Sequence, residues 1–332
     1  MGYSANGRNR TGIILMQNYL IFILTQIFKP HKVIAVTILG NNSAVPSHNR
    51  HPSAQVLQSG EHLVLIDCGE GTQMQLNLYK VKKSRINHIF ISHLHGDHYF
   101  GLIGLLNSFA LNNRLNPLHI YSPPELKPII ELQMGVTGSK FPYSLHFHNL
   151  VREEIIFEDK KFSVECFSVN HRIECWGFLF REKKNPRKIN VEEVKKYQIP
   201  PTFFENLHRG EDYIDANSQL IKNEILTLPV EPPKSYAYCA DTSYYEPICE
   251  KIKGVDLVYH EATYLADLEK KANDRFHSTS RQAAQIAKKA GAKKLLMGHF
   301  SSMYDSLDKF KEEACEIFEN SEVAEEGVCY FV

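Results

Sequence analysis

Short apolar runs alternate with segments of helical periodicity along most of the chain. The apolar runs predict strands at residues 33–39, 55–57, 62–66, 88–92, 161–170, 235–239, 255–259 and 294–297. Apolar positions three and four residues apart predict helices at residues 99–111, 124–134, 280–290 and 306–318. The order of these elements predicts a sheet-rich α/β chain in two similar halves, without a repeat of solenoid period.

Residues 1–32 fall outside this pattern. Their apolar run, Ile13–Phe28, is interrupted by three amide side chains and is shorter than the roughly 18–20 residues of a membrane-spanning helix. No small-x-small cleavage site follows it, as one would after a signal peptide. We predict a non-essential N-terminal extension, with Met16 as a candidate start, or alternatively a surface or membrane-associating helix. The core fold is expected to occupy residues 33–332.

Residues 181–210 form a second departure from the pattern. They are charged, contain Pro186, Pro200 and Pro201, and lack core-forming periodicity, which predicts an arm inserted into the fold and standing off its body. Between Arg181 and Tyr197 there are seven basic residues and three acidic ones. A charged insertion is usually only a solvated loop, but such an excess is also what binding to a nucleic-acid backbone requires.

The composition restricts the possible functions. Hydrophobic residues make up 43% of the chain and charged residues 23%, which is ordinary for a globular protein and excludes a disordered or fibrous chain. The 38 basic and 38 acidic residues cancel, so a nucleic-acid partner would have to meet a local basic patch. Seven cysteines without a C-x-x-C pair predict reduced thiols and a cytoplasmic location.

The strongest chemical signal is the pattern H-x-H-x-D-H at residues 93–98, directly after an apolar strand. On an extended segment, positions two apart point the same way, so His93 and His95 can converge on one ion. The chain turns at the following glycine, which directs Asp97 and His98 toward a neighbouring position for a second ion. Three imidazoles and a carboxylate suit Zn2+ or a similar borderline metal. The alternative is a histidine-rich surface loop.

Four ligands cannot complete two metal sites, and three further candidates follow apolar strands. His171, Asp241 and His299 stand at strand ends, where α/β folds usually place their sites. Singly, each could equally be a strand-end cap or a hydrogen-bonded surface group. Together they complete a set of the right size, in which Asp241 can bridge two cations ~3.5–4 Å apart. His146 and His148 also alternate but lack a following D-H, and we interpret them as outward positions of a strand.

These residues carry a resemblance to a known family. The chain resembles the metallo-β-lactamase fold and, within it, ribonuclease Z, the tRNA 3′-processing endonuclease, from about Val36 to the C-terminus. The other matching motifs are residues 39–46 (LGNNSAVP), 66–73 (IDCGEGTQ), 241–242 (DT), 260–263 (HEAT), 277–279 (HST) and 298–301 (GHFS). HEAT and HST are features of the tRNA-processing branch. The resemblance implies an α/β fold, an αββα sandwich of two mixed sheets flanked by helices, with a protruding arm.

The resemblance also implies a role for each site residue. It puts one zinc on His93, His95 and His171 and another on Asp97, His98 and His299, with Asp241 bridging, so that each subunit holds two Zn2+ ions. Asp97 would accept a proton from the attacking water, and His277, held by Glu261, would protonate or stabilise the departing 3′-oxygen. The alternative for His277 is a place in the N-terminal cap of the next helix.

The arm and two single positions depart from the family pattern. The arm lacks the glycines usual at the family's arm tip, so we expect RNA binding to rest on its basic residues Arg181, Lys183, Lys184, Arg187 and Lys188. Met303 stands where many relatives have an arginine, a phosphate contact. Arg50 lies in a loop that in relatives is near the tRNA end, and it is a further candidate for RNA binding.

Three functions are compatible with these features. The first is a zinc-dependent endoribonuclease that removes the 3′ trailer from precursor tRNA and leaves a tRNA 3′-hydroxyl. The second is a hydrolase of the same fold that acts on a small phosphodiester, lactone or thioester and would need no basic arm. The third is a metal-stabilised RNA-binding protein, which would need no second metal or acid. We expect the first, with a homodimer implied by the family and no membrane partner required.

Overall fold

The computed structural model describes residues 34–136, 138 and 140–332, so the predicted extension at residues 1–32 lies outside the described residues. The described chain divides into two compact units. The larger takes in the chain up to Phe157, Val164–Phe180 and Lys234–Val332, and the smaller consists of Glu158–Ser163 and Arg181–Pro233.

The larger unit is built on two seven-stranded sheets. The first contains β1 (Ile34–Gly40), β2 (Ala54–Ser59), β3 (His62–Ile66), β4 (Ile86–Phe90), β5 (Leu118–Ser122), β6 (Leu145–Asn149) and β18 (Cys329–Phe331). The second contains β7 (Glu154–Glu158), β8 (Phe162–Ser168), β9 (Trp176–Glu182), β14 (Ser235–Cys239), β15 (Leu257–Glu261), β16 (Lys294–Gly298) and β17 (Ser321–Val323). The strand orders are β18-β1-β2-β3-β4-β5-β6 and β17-β16-β15-β14-β9-β8-β7. Strands β3 to β6 pair in parallel, as do β14 to β17.

Aromatic side chains fill the space between the two sheets. The ring of Phe90 in β4 lies 5.4 Å from that of Phe178 and 5.6 Å from that of Phe180, both in β9. Tyr236 of β14 donates a hydrogen bond to the side-chain oxygen of Gln55 in β2. Because large rings from both inner faces interdigitate here, the sheets pack face to face.

Helices cover the outer face of each sheet. The first sheet carries α1 (Thr72–Leu78), α2 (Gly96–Tyr99), α3 (Leu102–Leu111) and α4 (Leu126–Val136). Leu105 and Phe109 of α3 pack in one buried cluster with Ile89 and Ile120 of the sheet. The second sheet carries α8 (Ile248–Lys251), α9 (Glu269–Asp274), α10 (Ser280–Lys289) and α11 (Asp308–Cys315). The apolar faces of α8, α10 and α11 form a second cluster with its strands. None of the helices in the described part of the chain has the length and apolarity needed to cross a bilayer.

The smaller unit has a core of its own. It contains β10 (Lys188–Ile189), α5 (Val191–Lys196), α6 (Phe204–Arg209), β11 (Tyr213–Ile214), β12 (Leu220–Ile221), α7 (Asn223–Leu226) and β13 (Thr227–Leu228). Val194, Leu207, Ile221 and Leu226 are buried together. The unit continues to Pro233, beyond the predicted end at residue 210, because Ile221 and Leu226 complete this core.

Most predicted elements are present with shifted ends, and one predicted helix is divided. The helix expected at 99–111 is interrupted after Tyr99 and resumes at Leu102. Between them, Gly101 donates its backbone N–H to the carbonyl of Cys68 at 2.9 Å. This close approach fixes the loop after β3 against the turn that carries the H-x-H-x-D-H residues.

Gly101→Ala should lower the free energy of unfolding by about 1–3 kcal/mol, because the added methyl group would clash with backbone atoms that cannot easily move away. The added Cβ would lie 2.2 Å from the carbonyl oxygen of Gly69. Gly104→Ala is the matched control: its Cβ would meet only the Gln73 amide oxygen at 3.9 Å, and alanine favours a helix more than glycine. Urea denaturation compares the two variants. Equal stability would contradict the close approach.

Candidate metal centre

Loops at the carboxyl ends of strands from both sheets supply the metal-binding candidates. The 93–98 segment leaves β4, His171 follows β8, Asp241 follows β14, and His299 follows β16. One ligand atom from each of His93, His95, His171 and Asp241 lies within 4.8 Å of the others, and the same is true of Asp97, His98 and His299. The structure therefore brings together all seven residues that the sequence predicts as ligands.

Asp241 lies between the two groups of imidazoles. Its Oδ2 is 3.6 Å from Nε2 of His93 and 3.9 Å from Nε2 of His171. Its Oδ1 is 3.4 Å from Nε2 of His98 and 3.2 Å from Nε2 of His299. Each carboxylate oxygen therefore faces a different group, which is the arrangement of a carboxylate that bridges two cations.

Two observations show that the residues fit a metal ion. Oδ1 of Asp241 is buried and lacks a hydrogen-bond partner of good geometry in the described chain, and a bound cation would supply one. Nδ1 of His95 lies 3.1 Å from Nε2 of His93 and 3.1 Å from Nε2 of His171. Nitrogens bound tetrahedrally to one zinc are roughly 3.3 Å apart, given bonds of about 2.0–2.1 Å. Three imidazoles aimed at one point thus have the spacing of a zinc site.

Asp67 orients His98 from behind. Its Oδ2 is 2.8 Å from Nδ1 of His98 and accepts a hydrogen bond of 2.6 Å from the Tyr238 hydroxyl. Ser92 donates its backbone N–H to Oδ1 at 2.8 Å. With Nδ1 engaged in this way, His98 presents Nε2 to the centre. Asp67 is not among the residues that the sequence predicts for the site, although an aspartate at the end of an apolar strand is a signal of the same kind as Asp241.

Two more imidazoles are held through their outer nitrogens. Nδ1 of His171 is 2.9 Å from the carbonyl oxygen of Phe276, and Nδ1 of His299 is 3.0 Å from Oγ1 of Thr263. Both rings therefore direct Nε2 toward Asp241. Phe276 and His299 adopt φ angles of 59° and 61°, a region that costs energy for residues with a side chain and is often found at functional sites.

The electrostatics of the centre favour a cation. Burial alone would lower the pKa of His98, but the Asp241 and Asp97 carboxylates raise it well above the ordinary value. Burial and a neighbouring imidazole, His171, lower the pKa of His95 to about 4. A neutral imidazole is the form that binds metal, and the buried carboxylates supply the negative charge that attracts it.

Glu261 and His277 form a separate acid–base pair beside the metal-binding cluster. Nδ1 of His277 is 2.9 Å from Oε1 of Glu261, which is itself fixed by the N–H groups of Thr242 and Thr263, each at 3.0 Å. Burial opposes protonation of His277, yet Glu261 raises its pKa to about 9. The cap of α10 is provided by Thr279 and not by His277, so the imidazole is available for chemistry.

The open side of the centre is a pocket that exposes several of these groups. It is lined by Asp97, His277 and His299 together with two arginines, Arg172 and Arg275. Nη2 of Arg172 lies 3.3 Å from Nε2 of His95. Neither arginine is among the predicted site residues, because nothing in the chain order shows that both reach one pocket. Their guanidinium groups suit an anionic substrate such as a phosphodiester.

Two positions at the rim differ from expectation. Arg50 uses its guanidinium within the chain: it donates to Oδ1 of Asn42 at 3.0 Å, to the carbonyl of Asp305 at 3.0 Å and to that of Tyr304. These bonds hold the loop that follows His299. The Lys271 ammonium lies 3.9 Å from Sδ of Met303. A cation is therefore present near the position where the family resemblance leads us to expect an arginine.

Comparison with protein-family models agrees with this architecture. Residues 34–185 match the model described as "Anti-Pycsar protein Apyc1", and residues 193–300 match "Beta-lactamase superfamily domain". These matches, the sandwich of two sheets and the His/Asp cluster at its edge together identify the chain as a hydrolase of the metallo-β-lactamase fold.

Individual relatives narrow this class. The chain is 40% identical over 294 residues to "Ribonuclease Z" of Bacteroides fragilis (strain YCH46), covering 88% of this chain and 97% of that protein. It is 42% identical over 299 residues to "Ribonuclease Z" of Cytophaga hutchinsonii, covering 89% and 95%. The crystal structure of human tRNase Z, short form, matches with a TM-score of 0.65 and 27% identity over 89% of this chain and 98% of that one. The chain belongs to the ribonuclease Z family, and it is a hydrolase of the endoribonuclease class.

Asp67→Asn should weaken metal binding about 10–100-fold, because the carboxylate that orients His98 would become a neutral amide. Competition with a chromogenic chelator measures the affinity. Asp256→Asn is the matched control, since Asp256 accepts hydrogen bonds from Ser235 in a different part of the same unit. An unchanged affinity of Asp67→Asn would show that His98 needs no orienting group.

Proposed function

We propose that this endoribonuclease removes the 3′ trailer from precursor tRNA in a zinc-dependent reaction and leaves a tRNA 3′-hydroxyl. The observation that carries the proposal is the Glu261–His277 pair beside a cluster of seven metal-ligating residues. A metal-bound protein without catalysis has no use for such an acid. Cleavage on the 3′ side of the tRNA needs one, because a ribose oxyanion leaves poorly near neutral pH.

Two Zn2+ ions per subunit are proposed. His93, His95 and His171 would hold one ion, Asp97, His98 and His299 the other, and Asp241 would contact both. When bound, the ions supply Lewis acidity that lowers the pKa of water and polarises the phosphodiester.

The protein's own residues then divide the proton transfers between them. Asp97, whose Oδ2 is fixed at 2.7 Å by the N–H of Ala44, accepts a proton of the attacking water as the new bond to phosphorus forms. The P–O3′ bond breaks, and His277 gives its proton to the departing 3′-oxygen. Glu261 remains ionised and stabilises the imidazolium before the transfer. The trailer keeps the phosphate, and the tRNA keeps the hydroxyl.

A homodimer in the cytoplasm completes the proposal. Met74 and Leu78 lie one turn apart on α1 and are 69% and 61% exposed, and Leu111 at the end of neighbouring α3 is 83% exposed. Exposed apolar side chains in one area favour a protein interface, and the family resemblance makes a second copy the occupant. A single-subunit mass in sedimentation of the full chain would contradict the homodimer.

The cytoplasmic location is supported by seven unpaired cysteines.

The decisive experiment is cleavage of a 5′-labelled precursor tRNA by the purified, zinc-loaded chain. We expect one discrete product near the mature 3′ end. Asp97→Ala should abolish it, and Asp308→Ala, which alters an exposed aspartate at the start of α11, should not. Turnover of a simple phosphodiester that depends on Asp97, without any cut in tRNA, would instead establish the small-substrate hydrolase.

The pH dependence should report His277. Glu261 raises the pKa of His277, which keeps the acid protonated at neutral pH, so kcat should fall as pH rises through this pKa. Glu261→Gln removes the charge that raises the pKa, so the basic limb should move to lower pH by about one to three units. Steady-state rates in matched buffers measure the limb.

The control for that shift is Glu153→Gln, which removes a carboxylate paired with Lys251 and should leave the limb in place. If the limb does not move in Glu261→Gln, or if it persists in His277→Ala, then His277 is not the acid.

The smaller unit is proposed to bind the RNA backbone. Of its basic residues, Lys183 is paired with Glu158 at 2.9 Å, and Arg187 donates to Thr227 at 2.7 Å. Lys184 and Lys188 are exposed, and their side-chain ammonium groups have no hydrogen bond or ion pair to any described residue. These two lysines are therefore the best placed to contact phosphate.

Lys184→Glu/Lys188→Glu should raise KM for precursor tRNA while sparing a small phosphodiester. The slope of log KM against log salt should fall by about two, one for each lost phosphate contact. Lys288→Glu/Lys309→Glu is the control, because it makes the same change of charge at exposed positions of the larger unit. Equal loss on both substrates would contradict a role in binding RNA.

A further inference from the structure

A group of histidines outside the catalytic centre lies on three neighbouring parallel strands. His146 and His148 are two residues apart on β6, so both point to the same face of the sheet. On β5, His119 is in register with His146, and on β4, His88 is in register with His119. Strand β6 is the edge of its sheet. None of these residues takes part in the reaction proposed above.

One pair of imidazole nitrogens in this group is as close as the pairs of the metal centre. Nδ1 of His119 lies 2.9 Å from Nε2 of His148, compared with 3.1 Å for the nitrogen pairs around His95. The ring centroid of His119 is 4.9 Å from that of His146 and 5.2 Å from that of His148. The ring centroids of His93, His95 and His171 are separated by 4.8–5.1 Å. The ring of His119 is therefore about as close to those of His146 and His148 as these three are to one another.

The protonation state of two of these rings, His119 and His148, also suits metal binding. Burial lowers the pKa of His119, and the neighbouring His148 and His146 lower it further. Burial and His146 lower the pKa of His148 as well. These shifts favour the neutral form of His119 and His148, which keeps a nitrogen lone pair free, as a metal ligand must.

The orientation of the rings separates two interpretations. They are nearly parallel, at 20° and 22°, as in a stack with one N–H···N hydrogen bond between His119 and His148. Among His93, His95 and His171 of the catalytic centre, the angles between ring planes are 71–84°. His146 and His148 are exposed, so their rings can turn about the broad χ2 torsion without disturbing the core. A cation that enters between them would exchange the single hydrogen bond for several metal–nitrogen bonds.

We propose that His119, His146 and His148 form a third metal site, which takes a borderline divalent cation such as Zn2+, Ni2+ or Cu2+ and fastens edge strand β6 to β5. Three imidazoles leave a fourth position for water, as in three-histidine zinc sites generally. Because β6 has a neighbour on one side only, ligands from both strands would stabilise the edge of the sheet.

The test is a count of bound metal. The full chain is stripped with chelator and titrated with Zn2+, and the stoichiometry is compared between wild type and His119→Ala/His148→Ala. We expect the double variant to bind one equivalent fewer, whatever number the catalytic centre takes. This difference keeps the test independent of the proposed function. His146→Ala should lower the affinity for this zinc ion at least as much as the loss of an orienting group does, which is about 10–100-fold.

His62→Ala is the matched control, since it removes a histidine from β3 of the same sheet and should leave the count unchanged. Retention of the untagged chain on immobilised Ni2+ should follow the same pattern: present in wild type and His62→Ala, lost in the double variant. Equal zinc stoichiometry in wild type and double variant would overturn the proposal, and so would loss of the equivalent in His62→Ala. Unchanged affinity in His146→Ala would exclude His146 as a ligand and overturn the three-histidine site.

Discussion

The position of the Asp241 carboxylate determines how the rest of the site is arranged. It is almost fully buried, and its two oxygens face two separate groups of imidazoles. A buried carboxylate is costly unless positive charge compensates it. Burial disfavours its charged form, but the His299 and His98 imidazoles lower its pKa well below the ordinary value. The chain thus holds a negative charge at the centre of a ring of nitrogen ligands, which is an arrangement that metal ions stabilise.

The two sheets make this arrangement possible because each carries part of the ligand set. The 93–98 segment leaves the first sheet, whereas His171, Asp241 and His299 leave the second. The rings of Phe90 and Phe178 fix the spacing between the sheets, and Asp67 at the end of β3 receives the Tyr238 hydroxyl from β14. The carboxylate that orients His98 is therefore also a link between the sheets. Packing and ligand geometry depend on the same few contacts.

The sequence could indicate which candidate ligands the fold brings together, because their spacing is set by local geometry. The run at 93–98 needs only one strand and one turn, and the other ligands stand at strand ends. What the sequence could not show depends on contacts between distant residues. The guanidinium of Arg50 is occupied by carbonyls some 254 positions away, and Arg172 and Arg275 meet only in the folded pocket. Strand β9 was not predicted, because Trp176–Phe180 is buried throughout and shows no alternation.

The inserted unit ends later in the structure than the predicted residue 210 for a related reason. Its charged and proline-containing beginning is easily read, but its core is completed by Ile221 and Leu226, in elements of two and four residues that give no periodic signal. Short elements of this kind acquire their structure from packing rather than from local propensity.

Two histidines in the centre have raised pKa values, and only one of them can act as an acid. His98 has no exposed surface, its Nδ1 is held by Asp67, and its Nε2 points at Asp241 and Asp97. A proton on that nitrogen would compete with a metal ion for the same position. The His277 side chain is 15% exposed and lines the pocket, while Glu261 engages its Nδ1 and leaves the opposite nitrogen for the substrate. The carboxylates that raise the pKa of His98 therefore also favour a metal ion at its Nε2, whereas the raised pKa of His277 suits proton donation, and the difference lies in what each ring faces.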